Sequence, residues 1–450
     1  MTRLLDTTAA AALRAVATAQ AEGRLPSVSA GVVRAGELAW SGGRGRHVRR
    51  GSDARPDADT QYKIGSVTKT MTAALVMLAR ERGQLRLGDP VGRFCPSAPY
   101  ADATLRSLLS HSAGITAEPY GSWWERSEGS DLAALATAHA EAATVLEPGT
   151  RLHYSNLGYG LLGAVVESVW GTTWSDALES EILRPLGMGR TTYQWAEPYA
   201  AGFAVDALTG EAMPEPLPDT GAMAPAGQLW STVGDLATWL TALADPDRSV
   251  LSRSSLDAMT TPQSGEPSGD QVWGLGLAID WSEGRKLVGH GGSMPGFTCG
   301  VLVEPDSGVG AVVLSNAGYG LGGLAGDLLD LVLEAEPPVP DEWVPTPGPV
   351  APEVLDILGT WHWGHAPTVL RWDGSRLQAA PPAGPGRRMS FAPQPDGTWL
   401  GESGYLTGET LTVHRRDDGS VGHIECATFI WTRAPYDPTA PIPGGVSQQP

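Results

Sequence analysis

The stretch Gln61-Tyr-Lys-Ile-Gly-Ser-Val-Thr-Lys-Thr70 places a serine and a lysine three residues apart where a long apolar helix begins. Residues at i and i+3 share a helix face, so the Ser66 hydroxyl and the Lys69 amine are expected side by side. Burial among apolar residues lowers the pKa of a lysine, and a neutral amine can take the proton of a neighbouring serine. The spacing therefore predicts Ser66 as a nucleophile with Lys69 as its base, although S-x-x-K alone is a weak signal.

Two further short motifs could supply the groups that such a nucleophile needs. Tyr154-Ser-Asn156 precedes a second helix of small and branched apolar residues, and His290-Gly-Gly-Ser293 is predicted to form a turn after a strand. Each has an ordinary structural explanation, because Tyr-x-Asn is common in turns and Gly-Gly often connects two strands. The three motifs in this order are more specific than any one of them.

The order of predicted elements indicates an α+β fold with two domains. A helix and a hairpin come first, a long helical region follows, and several strands, among them 273–280, precede a closing helix. We expect residues 1–335 to form an antiparallel sheet from both chain ends, with flanking helices and an inserted helical subdomain. A proline-rich linker at 336–352 leads to residues 353–450, where short β runs separated by Asp-Gly turns predict a small all-β barrel or sandwich.

Composition narrows the classes of partner. Acidic residues outnumber basic ones 50 to 31 over 450 residues, and the net charge of −19 argues against nucleic acid or an anionic membrane surface as a partner. Cys95, Cys299 and Cys426 lie far apart, so we expect buried free thiols. The amino terminus has no signal-peptide pattern, and no apolar run reaches the length of about 18 residues that predicts a membrane span. The predicted location is cytoplasmic.

No cofactor or metal is expected from the motifs. Two segments match G-x-G-x-x-G, at 158–163 and 318–323, but neither opens a βαβ unit with an acidic residue about twenty positions later. A Walker A motif, H-E-x-x-H, G-x-S-x-G and zinc-spaced His/Cys clusters are all missing from the sequence. These absences disfavour a metalloenzyme and an ordinary α/β-hydrolase.

Taken together, the motifs resemble those of the serine β-lactamase and penicillin-binding-protein superfamily, in its class C, D-aminopeptidase and esterase branch. The resemblance covers roughly residues 5–335 and implies the β-lactamase/transpeptidase-like fold. Residues 353–450 resemble the lipocalin-like domain attached to several members. Further supporting stretches are Leu108-Leu-Ser-His-Ser-Ala-Gly114, Pro148-Gly149, Arg184-Pro-Leu-Gly-Met188 and Pro225-Ala-Gly-Gln-Leu-Trp-Ser231.

The resemblance implies a role for each motif residue. Ser66 would be the acylated nucleophile and Lys69 its base, while Tyr154 would act as general acid or base through a phenolate stabilised by lysine charge. Asn156 would hydrogen-bond the substrate amide. Backbone N–H groups of Ser66 and Ser293 would form the oxyanion hole.

One departure from the family pattern bears on the substrate. Many relatives carry Lys-Thr-Gly where this chain has His290-Gly291-Gly292, and a histidine is only partly charged near neutral pH. This change favours an ester or thioester over an antibiotic that carries a carboxylate. The two glycines would let a substrate lie along the strand edge without a side-chain clash.

The resulting functional hypothesis is a serine hydrolase or acyltransferase with a peptide-like acyl substrate. Within this class, the chain is most similar to stand-alone penicillin-binding-protein-type thioesterases. Those enzymes release nonribosomal peptides from a phosphopantetheinyl carrier protein and macrocyclise them, with a preference for a D-residue. Cyclisation requires a dry pocket, and Trp123 and Trp124 are candidate walls, although core packing explains them equally. The alternatives are a D-stereospecific peptidase, carboxypeptidase or small-ester hydrolase, and a binding or regulatory module of the same fold.

Overall fold

Two units divide the chain in the computed structural model, Met1–Val339 and Pro340–Pro450. The structure describes residues 3–46, 54–265, 272–337, 345, 348–384 and 386–435. The predicted linker at 336–352 lies partly outside these ranges, and the tail after residue 435 lies wholly outside them.

The helices and strands over these residues are numbered in chain order. The helices are α1 (Asp6–Glu22), α2 (Thr68–Glu81), α3 (Leu105–Leu109), α4 (Leu132–Ala138), α5 (Asn156–Trp170), α6 (Trp174–Leu178), α7 (Arg184–Leu186), α8 (Ala224–Gly227), α9 (Val233–Ala244), α10 (Arg253–Met259), α11 (Leu324–Ala335) and α12 (Pro352–Leu355). The strands of the first unit are β1 (Ser27–Arg34), β2 (Glu37–Gly45), β3 (Tyr62–Lys63), β4 (Phe203–Val205), β5 (Ala212–Pro214), β6 (Trp230–Ser231), β7 (Ser264–Gly265), β8 (Val272–Trp273), β9 (Ala278–Ser282), β10 (Arg285–Met294), β11 (Phe297–Glu304) and β12 (Val309–Ser315). The second unit has β13 (Gly359–Trp363), β14 (Ala366–Trp372), β15 (Leu377–Ala380), β16 (Met389–Pro393), β17 (Trp399–Ser403), β18 (Thr410–Arg415), β19 (Val421–Cys426) and β20 (Phe429–Thr432).

An antiparallel sheet in the order β2-β1-β12-β11-β10-β9-β8-β7 organises the first unit. Strand β1 pairs with β12, so the two ends of this unit meet at the middle of the sheet, with Val32 opposite Ala311. Every residue of β1 is buried, as expected for a strand whose sheet is covered on both faces. The predicted α+β architecture is confirmed.

Two apolar cores lie on the two faces of this sheet. The smaller one joins the sheet to α1 and α11, through side chains such as Val16 and Leu328. The larger one joins the opposite face to α9, α2 and α5 and continues through the helical subdomain. The sheet is therefore the middle layer between helices, and α2 belongs to the larger core.

Helix α2 is buried on all its faces. Residues 68–79 are all inaccessible or nearly so, which is the pattern of a helix at the centre of a core rather than on a surface. The helix ends at Glu81, and Gly83 follows with φ of +69°, the left-handed conformation that commonly terminates helices.

The segment His290–Ser293 is a strand rather than the predicted turn. Strand β10 continues to Met294 because its backbone pairs with β11, where Gly291 is opposite Gly300. The chain reverses only at Gly296, whose φ is +80°. Glycine pairs do not exclude strand pairing when a neighbouring strand supplies the hydrogen bonds. The predicted strand 273–280 is in turn broken into β8 and β9.

The second unit is a closed barrel in the order β13 to β20. Its core contains Trp361, Phe391 and Trp431. The predicted Asp-Gly turns are present at Asp373, Asp396 and Asp418, and each carboxylate accepts a backbone N–H two residues later, at 2.9 to 3.0 Å. This local acceptor is the reason that Asp precedes Gly in such turns.

Candidate active site

Ser66 lies on a 3₁₀ turn, Gly65–Val67, which leads directly into α2. Gly65 has φ of +50°, and a Cβ atom on it would lie 2.7 Å from the backbone N and O of Ser293. Only glycine avoids both the backbone strain and this clash. The turn that carries Ser66 is therefore pressed against β10, which brings the first and third sequence motifs together.

Lys69 lies one helical turn after Ser66 and is fully buried. Its Nζ atom is hydrogen bonded to Ser66 Oγ at 2.9 Å and donates to the carbonyl oxygen of Ala226 at 2.6 Å. Burial lowers the pKa of Lys69 to about 7, although the negative charges of Glu118 and Glu125 oppose the shift. A substantial fraction of the amine is therefore neutral near pH 7 and can accept a proton from Ser66.

Tyr154 is half-buried and lines the same cleft as Ser66. The Lys69 Nζ atom lies 5.1 Å from the centre of the Tyr154 ring. Burial raises the pKa of Tyr154 above its ordinary value; the nearby Ser66 hydroxyl opposes this shift, and the charges of Glu118 and Glu125 add to it. The expectation of a lysine-stabilised phenolate therefore does not fit this environment, since the phenol keeps its proton near neutral pH.

His111 holds the tyrosine motif in place, a role that sequence reasoning did not assign. Its ring stacks on that of Tyr154 at 4.2 Å between centroids, and its Nδ1 accepts a hydrogen bond from the Ser155 backbone at 3.1 Å. The His111 carbonyl accepts a second one from the His153 backbone at 2.7 Å. The stretch Leu-Ser-His-Ser-Ala-Gly was a signal for the family, but it did not reveal this contact.

His290 is uncharged in this structure. Only 4 % of its surface is exposed, and burial together with nearby Lys69 lowers its pKa to about 3. Its Nδ1 is hydrogen bonded to the Gly291 carbonyl, so Nδ1 carries the proton and Nε2 is left as an acceptor. No partner for Nε2 is found in the described part of the chain.

Asn156 is the first residue of α5, and its amide is engaged by a carboxylate. Asn156 Nδ2 donates to Glu118 Oε1 at 2.7 Å, and the Trp124 indole N–H donates to Glu118 Oε2 at 2.7 Å. Trp124 is 8 % exposed, whereas Trp123 is 59 % exposed and covered on one face by the Arg126 guanidinium. Glu118 was not predicted as a site residue.

A second acid and a second lysine complete the surroundings. Burial raises the pKa of Glu125, while its hydrogen bond with the Trp123 indole opposes the shift. Lys63 is buried on β3, and burial lowers its pKa to about 8. Its amine donates a long hydrogen bond of 3.4 Å to Gln228. The surroundings of Ser66 thus include the carboxylates of Glu118 and Glu125 and two lysines whose pKa is lowered by burial.

A cleft with a volume of about 720 Å³ opens at Ser66. Most of the predicted site residues line it, namely Ser66, Tyr154, His290, Gly291, Gly292 and Ser293. Lys69 is hydrogen bonded to Ser66 but is fully buried. Asn156, Trp123 and Trp124 do not line this cleft, so the proposed role of the two tryptophans as its walls has no support in the geometry.

Among the described residues, one group offers three possible metal ligands: His414, His423 and Glu425, on the outside of the barrel. The two histidine rings stack at 4.4 Å, and His414 Nε2 lies 2.9 Å from a Glu425 carboxylate oxygen. This group belongs to the second unit and involves none of the residues around Ser66.

A serine hydrogen bonded to a buried lysine of lowered pKa, with a tyrosine on the same cleft, is the arrangement that serine acyl transfer requires. The chain belongs to the beta-lactamase family, whose model matches residues 12–334. A separate domain of unknown function, DUF7586, matches residues 350–433. The members of the beta-lactamase family that resemble this chain are serine hydrolases, and so is this protein.

Three relatives illustrate the range of the family. Penicillin-binding protein 4 of Amycolatopsis lactamdurans is 30 % identical over 341 residues, which are 70 % of this chain and 87 % of the relative. The crystal structure of SurE is 27 % identical with a TM-score of 0.60, covering 95 % of this chain and 99 % of SurE. The D-amino acid amidase from Ochrobactrum anthropi SV3, in complex with D-phenylalanine, is 26 % identical with a TM-score of 0.63, covering 73 % and 99 %.

None of the helices in the described ranges combines the length and the apolar character needed to cross a bilayer.

Proposed function

We propose that this protein transfers the acyl group of a peptide-like substrate through an ester on Ser66. The observation that carries this proposal is the 2.9 Å contact between Ser66 Oγ and the Nζ atom of Lys69, whose pKa burial has lowered to about 7. The neutral amine takes the hydroxyl proton as Oγ attacks the acyl carbon. The backbone N–H groups of Ser66 and Ser293 are the candidate oxyanion donors, since their turn and strand are in contact.

Tyr154 is proposed to pass the proton onward as a phenol. It lines the same cleft as Ser66, and the Lys69 Nζ atom lies 5.1 Å from the centre of its ring. A protonated phenol can donate to the departing group while it accepts the proton held by Lys69, so its net charge need not change. This role fits the raised pKa of Tyr154 better than a standing phenolate does.

The acyl donor is proposed to be a thioester or ester that ends in a D-residue. A neutral His290 offers no fixed positive charge for a substrate carboxylate, so a wall peptide or a β-lactam would lack its usual anchor. SurE has been crystallised with D-Leu, and the amidase with D-phenylalanine. Both structures associate a relative with a D-amino acid, and the amidase has also been crystallised with L-phenylalanine.

Within this class we favour a penicillin-binding-protein-type thioesterase that releases a nonribosomal peptide from a phosphopantetheinyl carrier protein and closes it head to tail. The similarity to SurE extends over 95 % of the chain and so includes the barrel as well as the catalytic unit. A D-stereospecific peptidase or amidase is the second candidate, supported by the amidase relative.

Labelling with a fluorophosphonate probe tests the acyl-enzyme. We expect the wild type to gain one adduct by mass and Ser66→Ala to gain none, whereas Ser112→Ala should label like the wild type. Equal labelling of Ser66→Ala would show that the nucleophile is another residue.

Products from a peptidyl thioester separate the two candidates. A substrate with a D-residue at its thioester end should acylate the enzyme faster than its L-epimer, and the thioesterase proposal requires a cyclic product. Linear acid as the sole product would reject cyclisation and support the D-peptidase. Equal rates for both epimers would reject D-selectivity in either case.

A further inference from the structure

Three side chains on the outer face of the barrel converge. His414 lies on β18, and His423 and Glu425 lie on β19. The two strands pair antiparallel, with His414 directly opposite His423. Successive side chains of a strand point to opposite faces, and Ile424 is fully buried in the barrel core, so His423 and Glu425 both point outward. These three residues are called the His–His–Glu cluster.

The possible ligand atoms of the His–His–Glu cluster lie close together. One atom from each side chain can be chosen so that all three are within 4.8 Å of one another. The two imidazole rings stack with 9° between their planes, and His414 Nε2 lies 2.9 Å from a Glu425 carboxylate oxygen. Ligand atoms bound to one zinc ion at about 2.0–2.1 Å are roughly 3.3 Å apart in a tetrahedron. Small side-chain rotations therefore suffice to bring all three onto one ion.

Hydrogen bonding within the chain leaves the cluster incomplete. The Nε2 atoms of His414 and His423 are both inaccessible to solvent, and neither has a hydrogen-bond partner among the described residues. An ion pair between His414 and Glu425 would use one imidazole and leave Nε2 of His423 unpaired. A buried ring nitrogen without a partner costs free energy. A cation held by both imidazoles and the carboxylate removes that cost at both rings.

The chemistry of these donors selects the kind of cation. Two imidazole nitrogens and one carboxylate oxygen suit zinc and its neighbours among the transition metals, whereas magnesium and calcium prefer shells made of oxygen. Zinc held by three protein ligands keeps a fourth position for water or another small ligand. A thiolate is not part of this set, because Cys426, the residue after Glu425, is fully buried on the inner face of the barrel.

We propose that His414, His423 and Glu425 form a zinc site that links strands β18 and β19. The site is independent of the acyl transfer proposed at Ser66. The bound ion holds the two strands together across their outer face and adds its binding free energy to the stability of the barrel. The sequence did not indicate this site, because the two histidines stand nine positions apart and only strand pairing places them opposite each other.

Zinc titration of the full, untagged chain tests the site. After treatment with a chelator and dialysis, we expect calorimetry to show one zinc ion bound per chain. His423→Ala and Glu425→Gln should each weaken the affinity by at least about tenfold, because even removing a group that only orients a metal ligand costs that much. His365→Ala is the matched control and should bind like the wild type, since His365 is an exposed histidine in the turn between β13 and β14 and lies outside the cluster.

Thermal unfolding measures the second consequence of the site. Saturating zinc should raise the melting temperature of the barrel in the wild type and in His365→Ala, and should leave it unchanged in His423→Ala and Glu425→Gln. Excess magnesium should neither reproduce this rise nor displace zinc. Both cluster substitutions are on the outer face, so their far-UV circular dichroism should match that of the wild type and show that they are folded.

Three results would overturn the inference. The first is a wild type without saturable zinc binding, which would leave the cluster as an ion pair with a stacked histidine. The second is an unchanged zinc affinity in both folded cluster variants, which would place the ion elsewhere on the chain. The third is displacement of zinc by magnesium, which would contradict ligation by imidazole.

Discussion

At the scale of single residues, Lys69 determines what the site can do. A lysine in water is almost fully protonated at pH 7 and cannot act as a base, but the fully buried Lys69 has a pKa of about 7. Burial lowers the pKa of a base but raises the pKa of an acid. The same environment therefore keeps Tyr154 protonated. One apolar environment therefore prepares a base and an acid next to each other.

The rate of acylation should follow the ionisation of Lys69. Since the base form lacks the proton, we expect the acylation rate to be low at pH 5.5, half-maximal near pH 7 and constant above about pH 8.5. Stopped-flow measurement with a peptidyl thioester over this range tests it. A rate independent of pH, or one that falls as the pH rises, would remove Lys69 from the role of base.

Sequence reasoning reached Ser66, Lys69 and Tyr154 because each belongs to a motif with fixed spacing. Glu118 belongs to no such motif. It lies in an irregular loop, and its partner Asn156 is 38 residues further along the chain, so only the fold shows that they meet. The environment of Tyr154 was also out of reach, since burial and charge depend on residues far away in sequence.

At the scale of elements, the contact between the Ser66 turn and β10 positions the reacting groups. The local helix start was predictable from the apolar periodicity of α2, whereas the continuation of β10 through His290–Ser293 was not. A Gly-Gly pair is ambiguous until its partner strand is known. Strand β11 settles it by pairing with β10 as far as Met294.

Gly65→Ala should damage this contact specifically. The added Cβ would lie 2.7 Å from the Ser293 backbone at a residue with φ of +50°, so the turn and β10 must separate. We expect acylation to fall by at least about 10²-fold, the usual effect of losing an oxyanion donor. Gly83→Ala is the matched control, because Gly83 also has a positive φ but has open space around its Cβ position. Similar rates for both variants would show that the contact does not position the site.

At the scale of the whole molecule, the functional lysine is expected to reduce stability. Its pKa is about 10.5 when unfolded and about 7 when folded, so folding opposes protonation. The resulting loss of folding stability has its full value below pH 7, and it decreases as the pH rises from 7 toward 10.5. The sequence indicated the antiparallel sheet, the all-β second unit and a buried Lys69, but not the carboxylates of Glu118 and Glu125 that oppose its pKa shift.

Lys69→Met should therefore stabilise the protein while abolishing catalysis. Methionine fills much of the same volume without a charge, and we expect a melting temperature a few degrees above that of the wild type at pH 6. The difference should shrink at pH 9, where the buried amine of the wild type is neutral. Calorimetry at the two pH values measures it. An equal or larger difference at pH 9 would contradict the assigned cause.

The enclosure of α2 also has a kinetic consequence. Buried residues make up most of this helix. In the described part of the chain, a substrate reaches Ser66 through the cleft that this serine lines. A leaving group and an incoming amine must then use the same approach to the same carbon, one after the other. With an added amine as acceptor, initial rates should give parallel double-reciprocal lines, the pattern of a substituted-enzyme sequence. The burial of one helix thus fixes the order in which two reactants can bind.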